Sequence, residues 1–283
     1  MQGMDFLSST QNPDGGWGYA SQEGSLVEPT SAALLALREA SFAAPSCQRG
    51  IDWLRNAQHS DGGWGFSSRD PESAWPTAWA LLALKRSGNT GPVSNRAVNW
   101  LLNVKTLRLS EDTVQAGQKI LTIDLSLRGW PWLPGEAAWV EPTALALMAL
   151  ESSSGVEAAA RRKEGLHFIQ DRCCPGGGWN VGSPVMFSSA LPGRAHPTAW
   201  VLVALSKLAP ANIRSEDIKV LRAEMHRDGG ALGLAWGLLA LRTMREDDAP
   251  AEARLTALQG PNGGWSNDIY KTAIAVMALR GHL

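Results

Sequence analysis

The sequence predicts an all-α fold, a closed α6–α6 toroid of six helix pairs. Two observations carry that prediction. Two short blocks of sequence alternate six times along the 283 residues, which makes about 47 residues per unit. The Ala/Leu-rich stretches are apolar almost all round, whereas the stretches between them carry charge on one side, so one set is buried and the other amphipathic. Six inner helices around an axis, surrounded by six outer ones, bury both sets. Closing the ring removes the exposed ends that an open solenoid has to cap. An open solenoid is the alternative arrangement.

The first block ends an outer helix. It runs from Gln through a turn to Gly-Gly-Trp, and it occurs at Gln11–Trp17, Gln58–Trp64 and Gln259–Trp265. At Gln170–Trp179 it has three extra residues, and Gly129-Trp130 and Gly229-Gly230 are weaker copies. Asp-Gly-Gly and Asn-Gly-Gly are turn sequences because glycine admits positive φ. The following Trp can cover a helix end, where its indole N–H needs an acceptor. Trp17, Trp64, Trp130, Trp179 and Trp265 are therefore read as structural.

The second block opens an inner helix. It reads Pro-Thr followed by Ala and Leu at Pro29-Thr30, Pro76-Thr77, Pro142-Thr143 and Pro197-Thr198, with degenerate copies at Gly233-Leu234 and Lys271-Thr272. Proline is expected at the first helical position, where its missing N–H costs nothing. No Pro/Ser-rich linker divides the chain, so residues 1–283 read as one domain. Its main irregularity is an insertion in the third repeat at about 103–127.

Composition excludes several functions. Lys and Arg number 26 against 27 Asp and Glu, a net charge of −1, with no basic run to bind nucleic acid. No apolar run is long enough to span a bilayer, and the N-terminus has neither a basic segment nor an apolar core of a signal peptide. Cys47, Cys173 and Cys174 do not form a disulfide framework, which agrees with a reducing, cytoplasmic location. The aromatic composition is skewed: 13 Trp against 5 Phe and 2 Tyr. Something specific places those indoles.

The Q-x-x-x-G-G-W block resembles the QW motif of squalene-hopene and oxidosqualene cyclases, which recurs in the β subunits of protein prenyltransferases. The resemblance covers essentially the whole chain. It implies an α/α toroid with an aromatic-lined cavity for an apolar isoprenoid. It also implies, for the cyclases, an Asp-x-Asp-Asp acid just before a Thr at the start of an inner helix. Aligned on Thr143, the three acid positions hold Trp139, Glu141 and Pro142. Thr30 gives Leu26, Glu28 and Pro29; Thr77 gives Ser73, Trp75 and Pro76; Thr198 gives Arg194, His196 and Pro197. Only Glu28 and Glu141 keep an acid in the proton-donor column. The prenyltransferase zinc histidine falls on Lys271, and Asp171-x-Cys173 lies in a turn, so no metal or other cofactor is expected.

Written as rings, the repeats place Glu28, Trp75, Glu141, His196, Leu232 and Tyr270 two residues before the Thr position. Ala32, Trp79, Leu145, Trp200, Trp236 and Ile274 lie a turn deeper. Glu141, Glu28 and His196 are the candidate acids and bases. Trp75, Trp79, Trp139, Trp200, Trp236 and Tyr270 are the candidate substrate-binding residues, because indole faces stabilise a cation by about 0.5–2 kcal/mol each. The plainer alternatives are that the carboxylates satisfy helix N-termini and that the Trp residues fill a core. Arg194, Lys271 and Arg128 are the cations available for a diphosphate, and no Asp-rich magnesium motif accompanies them.

The expected function is therefore terpene-cyclase-like. The chain would bind an apolar isoprenoid, with proton-initiated cyclisation or isomerisation started by a glutamate in place of the usual acid. A non-catalytic isoprenoid-binding or protein-interaction toroid is the alternative, and a glycan-processing toroid using paired carboxylates is a third. Full cyclases resemble two helical domains joined, so the expected partners include a chain supplying a second domain, and peripheral contact with a membrane surface.

Overall fold

The inner helices form where alanine and leucine dominate, because both are strong helix formers and leave no polar side chain to bury. The computed structural model describes residues 2–40, 43–118, 122–281 and 283. Its compact units are Met1–Leu101 with Gly229–Leu283, and Leu102–Asp228.

The first unit holds α1 (Gln2–Ser9), α2 (Val27–Leu37), α3 (Ala44–Asn56), α4 (Pro76–Arg86) and α5 (Pro92–Asn103, as far as its residue 101). The second unit follows, with α6 (Glu111–Gln118), α7 (Val140–Leu150), α8 (Val156–Asp171), α9 (Ala195–Leu208) and α10 (Ser215–Asp228). The chain then returns to the first unit for α11 (Ala231–Thr243), α12 (Ala249–Ala257) and α13 (Ile269–Arg280). The six Ala/Leu helices are α2, α4, α7, α9, α11 and α13, and all are buried along most of their length. In the first unit, α11, α13, α2 and α4 pack in succession, with α3 on α2 and α12 on α11. In the second, α7 packs on α9, α8 on α7 and α10 on α9.

Two very short antiparallel pairs interrupt the helical pattern. Trp130–Pro131 pairs with Ala138–Trp139, and Val185–Met186 with Ser189–Ala190. The insertion read at 103–127 contains α6; its residues 119–121 lie outside the described residues.

The Gly-Trp block ties an outer helix to the inner helix that follows. The backbone N–H of Trp17, Trp64, Trp130, Trp179 and Trp265 donates to the hydroxyl of Thr30, Thr77, Thr143, Thr198 and Thr272, at 2.8–2.9 Å. The indole N–H of four of them donates to the carbonyl of Leu7, Leu54, Ile169 or Leu255, at 2.7–2.8 Å. Each acceptor lies two residues before its helix ends, where carbonyls lack helical partners. The block's Gln11 and Gln58 donate to the Gly15 and Gly62 carbonyls, and also reach Ser46 in α3 and Val93 in α5.

Proline is not where the sequence placed it. Pro76 is the first residue of α4, but Pro29, Pro142 and Pro197 are the third residues of α2, α7 and α9. The third N–H of a helix still has no helical partner, so a proline costs no hydrogen bond there either. The consequence is that Glu28, Glu141 and His196 sit inside the first helical turn.

Candidate functional site

Three of the inner helix starts are held by a neighbouring repeat. The first N–H of α13, Ile269, donates to the Tyr19 carbonyl at 2.7 Å, and that of α2, Val27, donates to the Phe66 carbonyl at 2.8 Å. Val140 of α7 donates to Val181 in the same way at 3.5 Å. All three acceptors lie two residues after a Gly-Trp tryptophan. With backbone carbonyls there, the acidic side chains in the first turn are free to make other bonds.

Glu28 makes one to an aromatic group. It is half-buried on α2, accepts a hydrogen bond from the Tyr19 hydroxyl, and has the Trp79 side chain of α4 beside it. Burial pushes its carboxyl up to about 7, because the charged form loses its hydration. The Tyr19 hydrogen bond and the Trp79 side chain act in the opposite direction, and the nearby Asp268 adds to the rise. Asp268 caps α13 by accepting from the Lys271 N–H at 2.9 Å and pairs with the Lys271 ammonium at 3.2 Å.

Around Glu28 the rings form a continuous strip. Tyr19, 37% exposed, meets Tyr270 edge-on at 6.3 Å. Tyr270, 7% exposed, meets Trp79 edge-on at 5.9 Å, and Trp79 is tilted against Trp236 at 6.2 Å. Both indoles are fully buried. Burial and the Glu28 charge hold both tyrosines well above the ordinary phenol range, so they stay neutral. Trp75, the residue preceding α4, has its ring edge-on to Phe66 at 5.9 Å. An acid that is about half protonated at neutral pH thus stands at the surface end of a row of neutral rings.

The second unit brings together the other two candidates. The His196 Nδ1, at the start of α9, lies 3.1 Å from Glu141 Oε1, at the start of α7. The His196 ring is tilted against buried Trp200 at 4.8 Å. Trp139 precedes α7 and is 37% exposed. Glu28 and Glu141 both lie in the first turn of their helices, Glu28 with a phenol and an indole beside it and Glu141 with an imidazole.

Sequence reasoning missed Tyr19 and Asp268. A signal for Tyr19 existed, since the chain has only two tyrosines and both meet in this strip. The rings, however, were built from the Pro-Thr block alone, and Tyr19 belongs to the Gly-Trp block. Asp171 and Cys173 do not share a site: Asp171 accepts from the Asp124 N–H and pairs with Arg172, while Cys173 lies against Arg214 and Asp217. Among the described residues no group of three His, Cys, Asp or Glu could hold a metal ion. Nor is any helix there long and apolar enough to cross a membrane.

Residues 1–113 match the family model of the squalene-hopene cyclase C-terminal domain. No curated protein sequence matches the chain. Its fold is similar to that of a protein from Actinoplanes, at 18% identity and a TM-score of 0.68 over 99% of this chain and 97% of that one. It is also similar to a variant of the type II terpene cyclase MstE from Scytonema in complex with its product, merosterolic acid A. There the identity is 18% and the TM-score 0.64, over 99% and 94% of the two chains. An α-1,6-mannanase from Salegentibacter, bound to α-1,6-mannotriose, has 11% identity and a TM-score of 0.66 over 99% and 96%. Residues 1–113 thus resemble the squalene-hopene cyclase C-terminal domain, and the chain shares its helical fold with the type II terpene cyclases.

Proposed function

We propose that the chain is a terpene-cyclase-like enzyme in which Glu28 protonates a carbon–carbon double bond of an apolar isoprenoid. The observation that carries this reading is the neutral-leaning carboxyl of Glu28 at the open end of the Tyr19–Tyr270–Trp79–Trp236 strip. The Glu28 O–H bond breaks, a C–H bond forms at the less substituted alkene carbon, and a tertiary cation is left on its neighbour. A second double bond attacks that cation to close a ring, or loss of an adjacent proton yields the isomer. The proton lost to solvent at the end balances the one delivered.

A carboxyl kept neutral by burial is available as a donor at neutral pH, but it is a weaker acid than an exposed one. Cation stabilisation therefore has to lower the barrier. Three ring faces supply about 2–6 kcal/mol at about 0.5–2 kcal/mol each, and a water-poor wall strengthens every such contact. Glu141 has the His196 imidazole as its partner, at 3.1 Å, in place of a phenol. The isoprenoid ligands of the type II cyclase MstE support the substrate class by analogy of fold.

The test is incubation of purified protein with squalene, farnesyl diphosphate and geranylgeranyl diphosphate, read by gas chromatography–mass spectrometry. Wild type yields a cyclised or isomerised product, Glu28→Gln yields none while keeping its helical circular dichroism, and Glu141→Gln retains part of the turnover. Unchanged recovery of all three substrates with wild type would instead favour the non-catalytic isoprenoid-binding toroid.

A further inference from the structure

The second unit carries a cavity that the Glu28 site does not use. It has a volume of about 490 Å³, within the range of pockets that hold one small molecule. The insertion after α5 builds one side, and the residues leading into α7 build the other. Leu107, Leu125, Leu127 and Phe168 supply apolar wall, and Arg108, Arg128 and Arg172 supply cations.

These arginines are not equally neutralised. Arg172 pairs with its neighbour Asp171, donates to the Asp124 carbonyl, and lies over the Phe168 ring at 4.5 Å. Arg128 has to share its carboxylate. Glu164 lies 3.5 Å from the Arg128 guanidinium and 3.3 Å from that of Arg161, so one negative charge serves two positive ones. Arg161 is 4% exposed, stacks 3.6 Å from the Trp130 ring centre, and donates to the Arg128 and Gly129 carbonyls. Its guanidinium is pushed down to about 9 by burial first and by Arg128 next; the repulsion from Arg128 ranks ahead of the attraction from Glu164, and Arg108 adds to it. Arg128 and Arg161 each keep a buried Nε–H for which the described residues offer no acceptor. A buried donor left unpaired costs about 1–3 kcal/mol, and an acceptor in the cavity beside Arg128 would relieve that cost there, with negative charge favoured by the three arginines that line it.

We infer that this cavity binds an amphipathic anion, its phosphate or carboxylate group held by Arg128 and Arg108 and its short apolar body laid against Leu107, Leu125, Leu127 and Phe168. Guanidinium suits both headgroups, since its fork of donors matches either in a bidentate way. The site is independent of the reaction proposed for Glu28.

Isothermal titration calorimetry on the full chain tests it, with geranyl diphosphate and decanoate as amphipathic anions, geraniol as the uncharged body and inorganic pyrophosphate as the bare headgroup. One molecule of geranyl diphosphate or decanoate binds per chain, and the tighter of the two identifies the headgroup. Geraniol and pyrophosphate each bind about tenfold or more weaker. Arg128→Gln and the surface variant Arg108→Gln each weaken the amphipathic anion by about tenfold or more, the scale of a lost charge-assisted hydrogen bond. Glu28→Gln leaves that affinity unchanged. The inference is overturned if neither anion binds, if geraniol binds as well as they do, or if both arginine variants bind like wild type. Loss of binding in Glu28→Gln alone would also overturn it, by placing the ligand in the other site.

Discussion

Glu28 ties stability to pH in a direction opposite to that of most surface carboxylates. Its carboxyl moves from 4.5 to about 7 on folding, so the folded state favours the protonated form. The stability this contributes is complete below about pH 4.5 and is lost as pH rises through about 7. Glu28→Gln cannot ionise, so it should be more stable than wild type at about pH 9, by about 1–3 kcal/mol at 1.36 kcal/mol per pKa unit. That gain should vanish at about pH 4, and urea unfolding at the two pH values measures it. Tyr19→Phe acts on the same group. The Tyr19 hydrogen bond lowers the Glu28 carboxyl, so removing it raises the carboxyl further. The alkaline limb of a pH–rate profile should then move to higher pH; an unmoved limb would detach Tyr19 from the acid. Part of this chemistry was legible in the sequence. The column two residues before each Thr found Glu28, Glu141, His196 and Tyr270. It could not tell the two glutamates apart, because what separates them is a phenol and an indole on one side and an imidazole on the other, and the indole and the imidazole come from neighbouring repeats.

At the scale of elements, the repeat is a hydrogen-bonded clip. The Trp N–H to Thr hydroxyl bond is common to five repeats, and the indole to carbonyl bond to four of them. The two blocks were visible in the sequence because both halves of the clip need particular residues. A third component was not visible. Gly3, Gly50 and Gly165 sit within outer helices, each against the ring of a Gly-Trp tryptophan: Trp265, Trp17 and Trp130. Read alone, a glycine inside a helix looks like a weak point, since it costs about 1 kcal/mol against alanine. Here it makes room. A Cβ on Gly50 would come within 2.8 Å of the Trp17 ring and 2.9 Å of Leu34, and Trp17 cannot swing away because its indole is bonded to Leu7. Gly50→Ala should therefore destabilise the protein by about 1–3 kcal/mol through overpacking, despite the better helix former. Thermal unfolding checks the sign; a stabilised variant would mean that α3 moves freely on its neighbours. The fourth repeat shows how the clip tolerates change. In the regular copies Asp14 and Asp61 accept from the Gly16 and Gly63 N–H at 3.0 Å. In the copy with three extra residues, Asp217 of α10 accepts from the Gly178 N–H at 2.7 Å instead. The block's own aspartate there, Asp171, is turned to other partners.

For the whole molecule, fold and function separate cleanly. The same fold is found in a type II terpene cyclase bound to a terpenoid and in a mannanase bound to a glycan, so the fold alone does not choose a substrate. The choice rests on side chains. A glycan site presents hydrogen-bonding groups to many hydroxyls, whereas the groups facing Glu28 are neutral rings, two of them fully buried indoles. The near-neutral charge and the skew toward Trp were readable from composition, and they point the same way. In the reaction proposed for Glu28, a carboxylic acid delivers a proton to an alkene. Turnover in deuterium oxide with squalene, farnesyl diphosphate and geranylgeranyl diphosphate tests it most directly, with the products weighed by mass spectrometry. Wild type should place one solvent-derived deuterium in each product molecule, and Glu28→Gln should form no product. Products without deuterium, or labelled product from Glu28→Gln at the wild-type rate, would contradict it.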